Sequence, residues 1–203
     1  MSTSDDPETM SVTAALQALK MMRKRVDEKR VATTFVATSE SRDQASSAAS
    51  TLQSIRDLMA RIRRLDGRIK QSNAVTKVRV GDDTYTVAEA LALKEQMILY
   101  TSLRDELRSQ YRKATDEINF YNQQAQSRLD SLLRTHFGKD SKTSPADHDA
   151  LTAHFQKNNS IKLVDPINAE RVIQEMTDFI DTFTQNVDVA LAESNALTRI
   201  LAN

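Results

Sequence analysis

His136, His148 and His154 are the only imidazoles in the 203-residue chain. Imidazole is the side chain best suited to moving protons near neutral pH or to holding a metal ion. His148 and His154 stand six residues apart, on different faces of a helix, so they do not converge on one ion. Asp147 and Asp149 flank His148, but sequence neighbours on a helix point away from one another. Cysteine is absent, which removes thiolate nucleophiles, disulfides and thiolate metal sites. No G-x-S-x-G turn and no glycine-rich phosphate loop occurs. Carboxylates are numerous, but none forms a pair in an apolar setting that would shift its acidity. The expectation is a protein that is not an enzyme, with no catalytic residue, no metal and no cofactor.

One other pattern could bind something. Residues 72–77 read SNAVTK and residues 194–199 read SNALTR. Asn73, Thr76 and Lys77 in the first copy match Asn195, Thr198 and Arg199 in the second, and Arg79 follows closely on the first. Hydroxyls, amides and cations of this kind could grip a small anion. Two other readings stand beside that one. Ser72 and Ser194 fall on apolar seams, where polar groups can set helix register. Asn, Thr and Lys or Arg also satisfy the last carbonyls of a helix. A helix C-terminus is partly negative, so an anion there needs the cations to outweigh the dipole.

The elements that must position these residues are mostly helices. Gly and Pro occur three times each, too few for the frequent turns of an all-β fold. Val12, Leu16, Leu19, Met22 and Val26 recur at helical spacing and predict a first helix over 11–31. Its other face carries Lys20, Arg23, Lys24, Arg25, Lys29 and Arg30, read as a solvated face with an anion-binding surface as the alternative. Residues 32–50, rich in Ser, Thr and Ala, predict a break. A second helix follows over 43–73, with a heptad-like seam from Ile55 to Ser72.

Residues 75–87 alternate apolar and polar residues about Gly81-Asp82-Asp83, which predicts a short β-hairpin. Thr86 and Glu89 have the spacing of a capping box. The helix they open runs uninterrupted from 87 to 135, about 73 Å at helical rise. Its expected buried face includes Tyr100, Leu103, Leu107, Tyr121 and Leu129. Gly138 is its expected stop. A short helix from Ser144-Pro145 and an extended link occupy 144–165. A last helix covers 168–202, its seam stepping from Ile173 through Phe183 and Val187 to Leu201.

The expected fold class is mainly α: an elongated antiparallel helical bundle or coiled coil with one hairpin between the second and third long helices. Residues 1–10 are expected to be disordered and 11–203 to form one domain. If consecutive long helices alternate in direction, the two hexapeptides lie at one end of the bundle.

The stretches TAALQALKMMRKRV (13–26), IKQSNAVTKVRVGDDTYTVAEALALKE (69–95), IKLVDPINAERV (161–172) and VDVALAESNALTRI (187–200) resemble a family of small bacterial and phage helical proteins of unknown activity, some labelled septicolysin. The resemblance implies a helical fold with the hairpin between the second and third helices, and an Asn near each of two helix ends, here Asn73 and Asn195. The family usually places Trp after the second Asn. Ala196 stands there, so no contact that depends on an indole carries over.

Charge is balanced overall but not along the chain. Residues 1–80 hold 15 Lys+Arg against 9 Asp+Glu, and residues 81–203 hold 13 against 19, giving +6 and −6. A duplex nucleic-acid binder usually has a larger basic excess, so nucleic acid is not the expected partner. Apolar runs are far short of the ~18 residues that span a membrane, and residues 1–10 lack the basic-then-apolar order of a secretory signal. A cytoplasmic setting, in a bacterium or an infected cell, is expected. The function expected is a homo-oligomeric binder that captures or sequesters a small anionic, nucleotide-like ligand. The alternative is a coiled-coil scaffold or phage-associated assembly protein with protein partners only.

Overall fold

The computed structural model describes residues 8–32, 42–138 and 145–202. Of the break expected over 32–50, residues 33–41 lie outside the described residues, and 42–50 are instead the first turns of a helix. Residues 1–7 of the segment expected to be disordered, and 139–144 ahead of Pro145, also lie outside the described residues.

In chain order the elements are β1 (Thr9–Ser11), α1 (Val12–Ala32), α2 (Arg42–Val75), β2 (Lys77–Val80), β3 (Asp83–Thr86), α3 (Val87–His136), α4 (Pro145–Asn159), α5 (Ala169–Leu197) and β4 (Arg199–Leu201). The fold is mainly helical, with two small antiparallel strand pairs, β1–β4 and β2–β3. The chain divides into two compact units, Met1–Met97 with Asp181–Asn203, and Ile98–Ile180.

Two expectations need correction. The last helix does not reach residue 202: α5 stops at Leu197, and Arg199–Leu201 form a strand. Thr9 and Met10, placed in a disordered segment, pair with that strand, so the chain has a second strand pair besides the expected hairpin. Both errors have one cause. A three-residue strand carries almost no periodic signal, and its partner lies at the far end of the sequence. Local spacing had extended the helical seam through Leu201, whereas Ile200 is the residue that is buried.

In the first unit the two strand pairs are built alike. In one, Thr76 N–H donates to the Ser72 carbonyl at 2.9 Å, and Val87 N–H donates to the Thr76 carbonyl at 2.8 Å. In the other, Thr198 N–H donates to the Ser194 carbonyl at 2.9 Å, and Val12 N–H donates to the Thr198 carbonyl at 3.0 Å. The registers correspond: Lys77 faces Thr86 and Val78 faces Tyr85, while Arg199 faces Ser11 and Ile200 faces Met10. The helices that follow match too. Val12, Ala15 and Met22 are exposed by 2%, 0% and 8%, and Val87, Ala90 and Met97 by 2%, 0% and 8%. The repeated hexapeptide is therefore the junction of a repeated helix–strand–strand–helix module. In one module the strands are joined by the Gly81-Asp82 turn. In the other they are separate ends of the chain.

The modules interlock. Val12, Ala15, Leu19 and Met22 of α1 share a core with Leu65 and Ile69 of α2 and Ile200 of β4. Arg23 reaches Asp66 of α2 at 3.9 Å. In the corresponding position on α5, Asp188 is paired with Lys94 of α3, and Phe183 packs against Tyr85.

The second unit holds the remainder of α3, α4 and the start of α5. Asn122 clasps the link after α4, its side chain donating to the Ile161 carbonyl and accepting from the Ile161 N–H, both at 3.1 Å. Asp165 accepts from the Ala169 N–H at 2.9 Å and so satisfies a free donor at the start of α5. Asn168 beside it takes a left-handed backbone, φ 54°, which Asn tolerates better than most residues. Leu129 is the most enclosed side chain here, whereas Tyr100, Leu103 and Tyr121 of the expected α3 face are exposed.

Candidate functional site: an arginine-rimmed cleft

The helix-end residues divide between the two strand pairs. Asn73 and Asn195 are half-buried in the last turns of α2 and α5. Thr76 and Thr198 each spend both backbone groups on the junction, and Thr76 Oγ1 lies 3.4 Å from Ser72 Oγ. Lys77, Arg79 and Arg199 sit on the outward faces of β2 and β4.

Arg79 is engaged locally: Nε donates to the Gly81 carbonyl at 3.1 Å, and Nη2 lies 3.4 Å from Asp82. Thr86 and Glu89 form the expected capping box. The Thr86 N–H donates to the Glu89 carboxylate at 2.7 Å, and the Glu89 N–H donates to the Thr86 hydroxyl at 3.1 Å. The backbone and then the hydroxyl of Thr86 hold the Glu89 carboxyl below its ordinary pKa, with a smaller pull from Lys77. Ile69, one turn before Asn73, and Ile200, two residues after Thr198, share one core. The strand that leaves the second hexapeptide thus packs beside the helix that carries the first. Among the described residues no hydrogen bond or ion pair joins the two sets.

A better formed site lies elsewhere in the first unit. A cleft of about 350 Å³ opens along α1 and α2 beside the β1–β4 pair. Helical spacing builds it: Ala18, Met21, Met22 and Arg25 descend one side of α1, and Leu58, Arg61, Leu65 and Arg68 descend one side of α2, with Arg64 between. Met10 and Ala202 close its end. The floor is apolar and adaptable, because methionine fits irregular shapes.

The rim is cationic, with Arg25, Arg61, Arg64 and Arg68 all bordering the cleft. Arg68 Nη1 donates to the Leu201 carbonyl at 3.0 Å, which anchors one guanidinium to the strand. Asp66 is occupied by Lys70 at 2.9 Å and by Arg23. Among the described residues no carboxylate pairs with Arg25, Arg61 or Arg64. Guanidinium groups stay charged at any working pH, and like charges three or four residues apart on a helix repel by about 0.2–0.5 kcal/mol per pair.

The spacing Arg61, Arg64, Arg68 beside the α2 seam was the available signal for this cleft. It reads as ordinary solvated charge until α1 supplies the opposite wall. Among the described residues no group of His, Asp and Glu could hold a metal ion, and no helix is long and apolar enough to cross a membrane. No family model, curated protein or solved structure matches this chain.

Proposed function

We propose that the chain is a non-catalytic binding protein that captures a small anionic ligand in the cleft between α1 and α2. The observation that carries this reading is the set of four arginines around an apolar floor, with no carboxylate among the described residues that line it. Mutual repulsion among them is a standing cost that a bound anion would relieve. The volume, about 350 Å³, falls at the small end of ligand pockets. The helix-end set offers less. Arg79 is tied to its own turn, Lys77 lies near Glu89, and two helix C-termini oppose an anion.

The test is thermal unfolding at low salt against a panel of phosphate and carboxylate anions, nucleotides included. A ligand at 100 times its dissociation constant raises stability by about 2.7 kcal/mol. Arg61→Gln with Arg64→Gln should remove the shift and leave the helical content unchanged. Lys77→Ala with Arg199→Ala should leave the shift in place. The opposite pattern would move the site to the helix ends, and no shift with any anion would favour a scaffold.

Self-association is the second part of this reading. Ile98 and Leu99 of α3 are 75% and 68% exposed, and a second copy would cover them. An antiparallel coiled-coil bundle is the architecture that would use such faces. Light scattering should show more than one chain per particle, and Leu99→Lys should reduce it. A monomer in both proteins would reject this part.

A further inference from the structure

We infer that the apolar portion of the ligand is an aromatic ring, taking the place that a pair of the chain's own rings fills between α3 and α5. This rests on the anion-binding reading of the cleft and adds the chemical class of its occupant.

The two modules correspond residue by residue, 75 positions apart for β1–α1 against β3–α3 and 122 positions apart for α2 against α5. Met10 corresponds to Tyr85 and Arg61 to Phe183. Where α3 and α5 meet, Tyr85 contacts Phe183 edge to face, ring centroids 6.0 Å apart and planes at 87°. Phe183 is only 2% exposed there. Where α1 and α2 meet, Met10 and Arg61 border the open cleft.

The neighbouring positions change in the same sense. Leu93 is replaced by Ala18, which is smaller, and Asn186 and Ala190 by Arg64 and Arg68. One half of the fold is thus plugged by two rings. In the other half the same place is emptied of rings and edged with guanidinium groups. The plugged half shows that this backbone accommodates aromatic volume. Guanidinium planes stack on aromatic faces as well as pairing with anions, and methionine sulfur packs favourably against rings. An aromatic ring bearing one anionic group, such as an aryl phosphate, satisfies floor and rim together.

The experiment compares phenyl phosphate, n-hexyl phosphate and inorganic phosphate by isothermal titration of the full chain at low salt. Three proteins are used: the parent, Arg64→Gln, and the double variant Met10→Tyr with Arg61→Phe, which copies the plugged half. The expected result is phenyl phosphate binding at least tenfold more tightly than n-hexyl phosphate. Arg64→Gln should weaken both organic phosphates by a similar factor. The double variant should bind neither, and should melt at or above the parent temperature because its rings fill the cleft. Equal or tighter binding of n-hexyl phosphate would overturn the aromatic assignment and leave the anion cleft standing. Loss of binding to all three probes in the parent would overturn the cleft reading itself. If the double variant fails to fold, the phenyl-to-hexyl ratio in the parent and in Arg64→Gln still decides the assignment.

Discussion

Gly81→Ala probes the placement of the hairpin against α5. Gly81 has φ +64°, a left-handed backbone that costs an ordinary L residue about 1–2 kcal/mol. A Cβ added there would also come within 2.6 Å of Thr182 Cγ2, closer than non-bonded carbons approach. Threonine is stiff about χ1, so the methyl cannot simply swing aside, and overpacking of this kind costs about 1–3 kcal/mol. The substitution should therefore cost roughly 2–5 kcal/mol in all.

Thr182→Ser removes the methyl and keeps the hydroxyl. In that background only the backbone part of the loss, about 1–2 kcal/mol, should remain. The coupling between the two sites is then about 1–3 kcal/mol, measurable by a double-mutant cycle. Urea unfolding followed by far-ultraviolet circular dichroism provides the four stabilities. In a chain of this length each kcal/mol moves the melting temperature by about 2–4 °C, an independent check. Equal losses in the parent and in the Thr182→Ser background would show that the hairpin tip does not rest on α5, and the module correspondence would lose its support on that side.

Other outcomes follow from particular contacts. Glu89 has a lowered pKa in the fold, so its contribution to stability is full above the unfolded carboxyl value, about 4.3, and is lost as pH falls through the lower folded value. Urea midpoints taken from neutral to acid pH should therefore fall less steeply for Glu89→Gln than for the parent, and an unchanged slope would contradict the capping box. Asp165→Ala removes the acceptor for the Ala169 N–H and should cost about 1 kcal/mol, with Asp165→Asn recovering most of it in the same unfolding assay. Leu129→Ala, at a position 1% exposed, should cost about 2–5 kcal/mol. A loss below about 0.5 kcal/mol, the surface range, would place Leu129 outside the core of the second unit.

Much of the fold was legible locally. The helical spacing of Val12, Leu19 and Met22, the alternation of Val78 and Val80 about Gly81, and the Thr86–Glu89 pair each report interactions between residues a few positions apart. Such interactions leave a period or a spacing in the chain. The hexapeptide repeat marked two helix ends, and both helices do stop there. The module to which those ends belong was not legible, because its second copy pairs Thr9–Ser11 with Arg199–Leu201. Across so many residues no spacing rule applies.

The cleft divides in the same way. By itself the sequence determined that α1 and α2 would each have an apolar stripe flanked by arginines, since residue type and helical period require nothing else. Only the tertiary structure decided that the two stripes would face each other beside Met10 and Ala202. It also decided that Tyr85 and Phe183 would meet in the corresponding place between α3 and α5. Both are packing outcomes: which surfaces bury one another depends on the paths of distant segments, and no local pattern encodes it.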